Sequence, residues 1–442
     1  MKTATRSFYG MAWVAALAFG LERGALASRV RMDVGMACTH MEANKQQVGY
    51  IKVGLTGFDR AREQHTPVNV AIVIDRSGSM QGEKIAKARE AAIMAVDRLN
   101  SDDIVSVAAY SSRVSVLVPA TKVSDKEAIR AGIERLEASG STALFAGISK
   151  GAEEVRKFIS RSRVNRVILI SDGLANVGHS STSSLGDLGA SLAKERISVT
   201  TIGLGLDYNE DLMTQLARRS DGNSGFAGSS ADLLRLMQAE FGDVLAVVAQ
   251  ELVVRIECAD GIRPVRVLGR EAEIAGATVR VQMNQLNAGQ EKYVLLEVEL
   301  PATRSGQTRE VASVTVSYAN MATSATDTLS GTASVRFTDS LADVERAINR
   351  DVMIAVVTQT AVERNKLAVE LRDNGRIEEA HAALTANAAY LKSNASKFDS
   401  KELGTYSDRN LNDAQNLDDA NWGRQRKDMR YMQRSAEQQQ SY

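Results

Sequence analysis

The sequence predicts a multidomain α/β + β + α protein, in which a doubly wound, mostly parallel sheet is inserted in an antiparallel β-sandwich and followed by a C-terminal helical region. Three patterns carry this expectation. Between about Val68 and Val248, short and nearly continuous apolar runs alternate with helical periodicities, as strands covered on both faces by helices require. Beyond Gln250 the apolar residues recur at every second position, as in Val279, Val281, Met283 and again in Val314, Val316, Tyr318. From Leu341 onward, Leu341, Val344, Ile348 and Val352 fall on one helical face.

With 442 residues the chain has room for two or three domains, and 44% hydrophobic with 24% charged residues can support a sizeable core. Lys+Arg and Asp+Glu number 54 each, so net charge supplies no attraction to nucleic acid. Residues 1–27 read as a secretory signal: Lys2 and Arg6 at the start, an apolar stretch over 8–20, and Ala25-Leu26-Ala27 as a small-residue cleavage site. The stretch is shorter than the roughly 20 residues of a membrane span. The expected location is the periplasm, cell envelope or extracellular space, with no transmembrane span in the mature chain. An uncleaved anchor is the alternative. In an oxidising compartment Cys38 and Cys258 either pair or remain two free buried thiols, and both readings stay open.

Taken in order, residues 28–66 hold two strand-like segments, 29–38 and 49–58, with no core of their own. They are expected to pair into the later sheet, which splits the β domain around an inserted unit at 67–249. Within that unit Val68–Asp75 reads as a strand buried on both faces, and Ile85, Ala88, Ala92, Val96 and Leu99 as a helix. Strands follow over 103–110 and 113–118. A helix over 124–138 is expected to be capped by Ser124 with Glu127 as capping-box partner, and another runs over 144–159. Val164–Ser171 is a second fully buried strand. A helix over 184–195, a strand over 197–203 and helices over 209–219 and 231–249 complete the alternation. Residues 250–338 form the β-sandwich, and 339–397 a helical hairpin broken at Asn374-Gly375. Residues 398–442 are a helical, partly disordered tail whose basic run, 424–434, is read as a solvated helix face or frayed end.

Chemistry gathers at the carboxyl ends of the buried strands, where ligands bind in such sheets. Asp75-Arg76-Ser77-Gly78-Ser79 offers one carboxylate and two hydroxyls spaced to face one ion. Alone this D-x-S-x-S loop is weak, because Asp and Ser are ordinary turn and cap residues. Gly140-Ser141-Thr142 at a helix start adds a third hydroxyl, and Ser171-Asp172-Gly173 a second carboxylate. Asp75, Ser77, Ser79, Thr142 and Asp172 are thus five candidate oxygen ligands for a hard divalent cation, Mg²⁺ first and Mn²⁺ or Ca²⁺ as alternatives.

The segments DRSGSM (75–80), GSTALFAGI (140–148) and ISDG (170–173) closely resemble von Willebrand factor A domains. The flanking strands and helical tail look more loosely like bacterial exported members related to inter-alpha-trypsin inhibitor heavy chains and calcium-activated chloride channel-like proteins. The resemblance implies that Ser77, Ser79 and Thr142 coordinate the ion directly or nearly so, with Asp75 and Asp172 often acting through water. It also implies an adhesion-type module, not an enzyme, whose metal accepts an Asp or Glu from a partner protein. The loop 176–184 with His179 is expected near the site, where it would shape partner choice.

Two other readings were weighed. One is a metal-stabilised scaffold of the cell envelope whose helical tail makes the contacts. The other is a Mg²⁺-dependent phosphohydrolase with Asp75 as nucleophile, but Ser77 stands where a second acid is needed. His40, His65, His179 and His381 are scattered, H-E-x-x-H is missing from the sequence, and Gly203-Leu204-Gly205 reads as a turn rather than a nucleotide loop.

Overall fold

A computed structural model describes residues 28–59, 66–175 and 177–439; the segment 1–27, read above as a secretory signal, lies outside them. The chain enters through β1 (Arg31–Met36), β2 (His40–Glu42) and β3 (Gln47–Thr56). It then builds a six-stranded sheet from β4 (Val68–Asp75), β5 (Ile104–Tyr110), β6 (Val114–Lys122), β7 (Val164–Ser171), β8 (Ser198–Leu204) and β9 (Ser224–Ala227). The spatial order is β6-β5-β4-β7-β8-β9, parallel throughout except for β6 on the edge. Successive connections leave β4 toward β5 on one side and return to β7 on the other. The crevice above the carboxyl ends of β4 and β7 is therefore the switch point of the sheet.

Six helices cover this sheet: α1 (Glu83–Asp97), α2 (Lys126–Glu134), α3 (Leu144–Arg156), α4 (Thr182–Lys194), α5 (Glu210–Arg219) and α6 (Ser230–Leu245). Alternate residues of β4 separate the two faces. Val70, Ile72 and Ile74 pack with α1, α2 and α6, whereas Ala71 and Val73 pack with α3, α4 and α5.

Of the expected boundaries that shift, two have a clear physical cause. The cap of α2 is Asp125, whose carboxylate accepts from the Ala128 N–H at 3.0 Å, not Ser124. A charged acceptor at the positive end of the helix is a strong cap, and Ser124 stays outside it. Helix α6 ends at Leu245 rather than near 249, because Val247, Val248 and Ala249 are fully buried as the opening residues of β10 (Val247–Cys258).

The remaining strands are β11 (Arg263–Leu268), β12 (Glu273–Ala275), β13 (Thr278–Asn287), β14 (Glu291–Leu300), β15 (Thr308–Asn320) and β16 (Thr326–Thr338). They form two sheets, β1-β3-β14-β11 and β12-β13-β10-β15-β16-β2. β3 runs antiparallel to β14 from Gln47↔Leu300 to Thr56↔Glu291, so strands that precede and follow the six-stranded sheet share one core. Cys258 in that core and Cys38 at its margin are free thiols. The Cys38 thiol donates to the His40 carbonyl at 2.8 Å, and burial pushes the Cys258 thiol up to about 11.

Five helices complete the chain: α7 (Leu341–Arg346), α8 (Arg350–Asp373), α9 (Ile377–Phe398), α10 (Lys401–Gln415) and α11 (Asp419–Glu437). Val352, Ala355 and Val356 of α8 pack on Ala37, Leu268 and Leu295 of the sandwich. No helix among the described residues is long and apolar enough to cross a membrane.

Beyond exposed Arg424, the basic run in α11 is neither solvated nor frayed. Lys427 and Arg434 are buried. Lys427 donates to the Tyr208 carbonyl at 3.0 Å and to Glu210 at 2.5 Å. Arg426 bonds Glu210, Asp211 and Asp373, and Arg434 donates to the Gly222 carbonyl at 2.9 Å. The acids that neutralise this run lie on α5 and α8, remote in sequence, which is why local charge pattern misreads it. Replacing Arg426 with Ala leaves acids on two elements short of a partner. The expected loss is about 2 kcal/mol of stability, read as a lower urea midpoint.

A second consequence follows from Asp413 on α10. Burial pushes its carboxyl from 3.8 up to about 6, although Asn365 and Gln425 amides donate to it at 3.1 and 2.6 Å. The folded state thus holds this proton to higher pH than the unfolded chain does. Its contribution to stability is complete below about pH 4 and is lost as pH rises through about 6. Urea melts across that window should show the slope in the native protein and a flatter one in Asp413→Asn.

Candidate metal centre

Register fixes the centre. Ile74 pairs with Ile170, so the next residues, Asp75 and Ser171, emerge abreast at the carboxyl ends of adjacent strands, followed by Asp172. Both carboxylates are fully buried. Asp75 Oδ1 accepts from the Ser77 N–H at 2.8 Å, while Oδ2 accepts from the Ser171 hydroxyl at 2.7 Å and from the Tyr110 hydroxyl at 3.4 Å. Burial pushes the Asp75 carboxyl up, the hydrogen bonds from Ser171 and Ser77 pull it down, and the neighbouring Asp172 adds to the rise.

The serine loop closes on Asp172. Ser77 Oγ lies 3.0 Å from Ser79 Oγ, and the Ser79 hydroxyl donates to Asp172 Oδ1 at 2.7 Å. The third loop is tied in by backbone: Gly78 N–H donates to the Gly140 carbonyl at 2.9 Å and Ser139 N–H to the Arg76 carbonyl at 2.6 Å. Thr142 is buried and faces Gly173, where a Cβ would lie 2.9 Å from Thr142 Oγ1 and 3.5 Å from Asp75 Oδ2. The structure thus gathers Asp75, Ser77, Ser79, Thr142 and Asp172 at one sheet edge. His179, in the exposed loop beyond β7, packs tilted against Phe145 with ring centroids 5.1 Å apart.

Three participants were not singled out from sequence. Ser171 and Tyr110 hold Asp75, and Lys84 on α1 pairs with Asp172 Oδ2 at 2.5 Å. Ser171 sits inside the ISDG segment and was within reach. Tyr110 required the pairing Asp75↔Tyr110 across β4 and β5.

Among the described residues, no three His, Cys, Asp or Glu side chains cluster as a metal site. A cation here would depend on hydroxyls as much as carboxylates. The spacing suits that chemistry: neighbouring ligands of an octahedral Mg²⁺ at about 2.1 Å lie about 3 Å apart. Ser77 to Ser79 and Ser79 to Asp172 stand at 3.0 and 2.7 Å.

Because Gly173 makes room for Thr142, Gly173→Ala should force the threonine aside and cost about 1–3 kcal/mol, seen as a lower melting temperature.

Residues 69–240 match the von Willebrand factor type A domain family. Relatives include sll0103 of Synechocystis, 27% identical over 61% of this chain and 65% of its own, and YfbK of Escherichia coli, 27% identical over 48% and 37%. Human inter-alpha-trypsin inhibitor heavy chain H3 is 30% identical over 38% of this chain and 20% of its own. The chain thus spans less than two thirds of each of these relatives. In fold it resembles a von Willebrand factor type A protein from Catenulispora acidiphila (TM-score 0.73, 15% identity, 92% of this chain and 96% of that one). It also resembles the ArnB paralog VWA2 from Sulfolobus acidocaldarius (TM-score 0.63, 18% identity, 92% and 99%). The chain therefore carries a von Willebrand factor type A domain over residues 69–240, and the bacterial proteins and inter-alpha-trypsin inhibitor heavy chains are homologues of that region.

Proposed function

We propose that Asp75, Ser77, Ser79, Thr142 and Asp172 hold a divalent cation, Mg²⁺ before Mn²⁺ or Ca²⁺, through which the domain binds an Asp or Glu of a partner protein. The observation that carries this reading is the run of oxygens from Ser77 through Ser79 to Asp172, spaced as neighbours in an octahedral shell. Von Willebrand factor A domains are commonly metal-dependent protein-binding modules, which agrees with the match over 69–240. When bound, the ion supplies an electrophilic centre for an incoming carboxylate. The chain's own residues orient that centre: Ser171 and Tyr110 fix Asp75, and the Ser79 hydroxyl fixes Asp172.

The surroundings favour association over catalysis. Leu174, Leu206 and Val177, at 57%, 52% and 37% exposure, follow the carboxyl ends of β7 and β8. Apolar side chains around a charged centre are the composition of a protein interface. We assign the partner-binding unit to residues 67–246, the split sandwich to 28–66 and 247–338, and the helical supports to 339–397 and 398–442. We further assign the protein to the exported compartment, on the residue pattern of 1–27.

Capture from the native envelope tests the function. Wild type should retain a partner in Mg²⁺ and release it in chelator, and Asp75→Ala should fail to capture it while melting as a folded protein. A folded Asp75→Ala or Asp172→Ala variant that captures the same partner in chelator would overturn the proposal.

A further inference from the structure

Lys84 occupies an odd position. It lies in the first turn of α1, where the helix presents its positive end and a cation is disfavoured. The N-cap, Gly82, offers no side-chain cap, and Glu83 is the acid of that first turn. The ammonium instead reaches fully buried Asp172 at 2.5 Å, while the Lys84 side chain keeps only 29% exposure. Its end passes under the turn after β8, where Gly205 has φ +77° and a Cβ would touch Cε and Nζ at 3.7 and 3.6 Å. The lysine is thus seated in a slot, not loose at the surface.

We propose that Lys84 sets the charge of the metal centre, weakening its hold on the cation while strengthening the cation's attraction for a partner carboxylate. This rests on the metal-binding function proposed above. Asp75 and Asp172 carry two negative charges, which would cancel a divalent ion outright. Lys84 takes Asp172 Oδ2 for itself and adds one positive charge. Asp172 Oδ1, which accepts from the Ser79 hydroxyl, is the oxygen that would be left to hold an ion. The loaded centre then carries one net positive charge instead of none. Only a ligand from outside, an anionic one, completes the balance. A site with the same five oxygens and no lysine would bind metal more tightly and carboxylate more weakly.

Those opposite signs make the idea testable with the full chain and without a known partner. Lys84→Gln keeps a hydrogen-bond donor and removes the charge, and Lys84→Arg keeps the charge. Mn²⁺ affinity is read by calorimetry. Acetate is then titrated into the Mn²⁺-loaded protein, and displacement of bound water is followed by water-proton relaxation. Lys84→Gln should bind Mn²⁺ on the order of tenfold more tightly and acetate on the order of tenfold more weakly, with Lys84→Arg close to wild type. If Lys84→Gln weakens both, or changes neither, the lysine is merely structural and the proposal falls while the metal centre stands. Should wild type show no Mn²⁺ binding that Asp75→Ala abolishes, the metal centre falls and the role of Lys84 with it. Melting curves of each variant separate misfolding from altered affinity.

Discussion

Two carboxylates buried side by side at the ends of neighbouring parallel strands are the constraint around which this domain is arranged. Asp75 and Asp172 have no exposure, and the register of β4 with β7 leaves them no means of separating. Buried like charges are tolerated only when donors surround them. The fold supplies those donors from four segments: the Ser77 amide and Ser79 hydroxyl, the Lys84 ammonium, the Tyr110 hydroxyl and the Ser171 hydroxyl. Even the glycine after Asp172 follows from it, since a side chain there would collide with Thr142.

Much of this was legible because buried parallel strands announce themselves. VNVAIVID and VNRVILIS are apolar on both faces, and their observed limits coincide with those read from the pattern. The period-two strands of the sandwich were equally clear, and the pairing of the early segments with β14 follows from their having no core alone. The five candidate ligands were found from motif spacing. Lys84 was not, because helical periodicity treats a lysine in a first turn as a solvated residue. Only the fold brings it beneath Gly205 and against Asp172.

Two of the three misread places share one physical cause, a partner remote in sequence; the third is local. Whether Ser124 or Asp125 caps α2 is a contest between adjacent residues that local pattern leaves nearly even. The helix ending at Leu245 was read too long because Val247, Val248 and Ala249 are as acceptable in a helix as in a strand until the sandwich claims them. The basic stretch of α11 has no local complement strong enough to suggest burial. Glu210 and Asp211 supply that complement from α5, so a run that looks like a solvated face becomes the face that docks.

That docking bears on where a partner can bind. Arg426, Lys427 and Arg434 spend their hydrogen bonds inside the molecule, so α11 is not available as a basic arm for contacts elsewhere. At the other junction Arg166 on β7 bonds Glu240 of α6 and Gln285 of β13, with Thr200 donating to the same glutamate at 2.6 Å. Arg166, Glu240 and Gln285 are all buried, and a buried, directional network of this kind tolerates few alternative orientations. The sheet is therefore gripped by the sandwich on one side and by α11 on the other. Its carboxyl edge instead ends in loops that expose Leu174, Val177 and Leu206 beside the buried acids. A rigid frame carrying exposed loops is how folded domains present recognition surfaces. The edge bearing Asp75 and Asp172 thus sets buried carboxylates and hydroxyls beside an apolar rim.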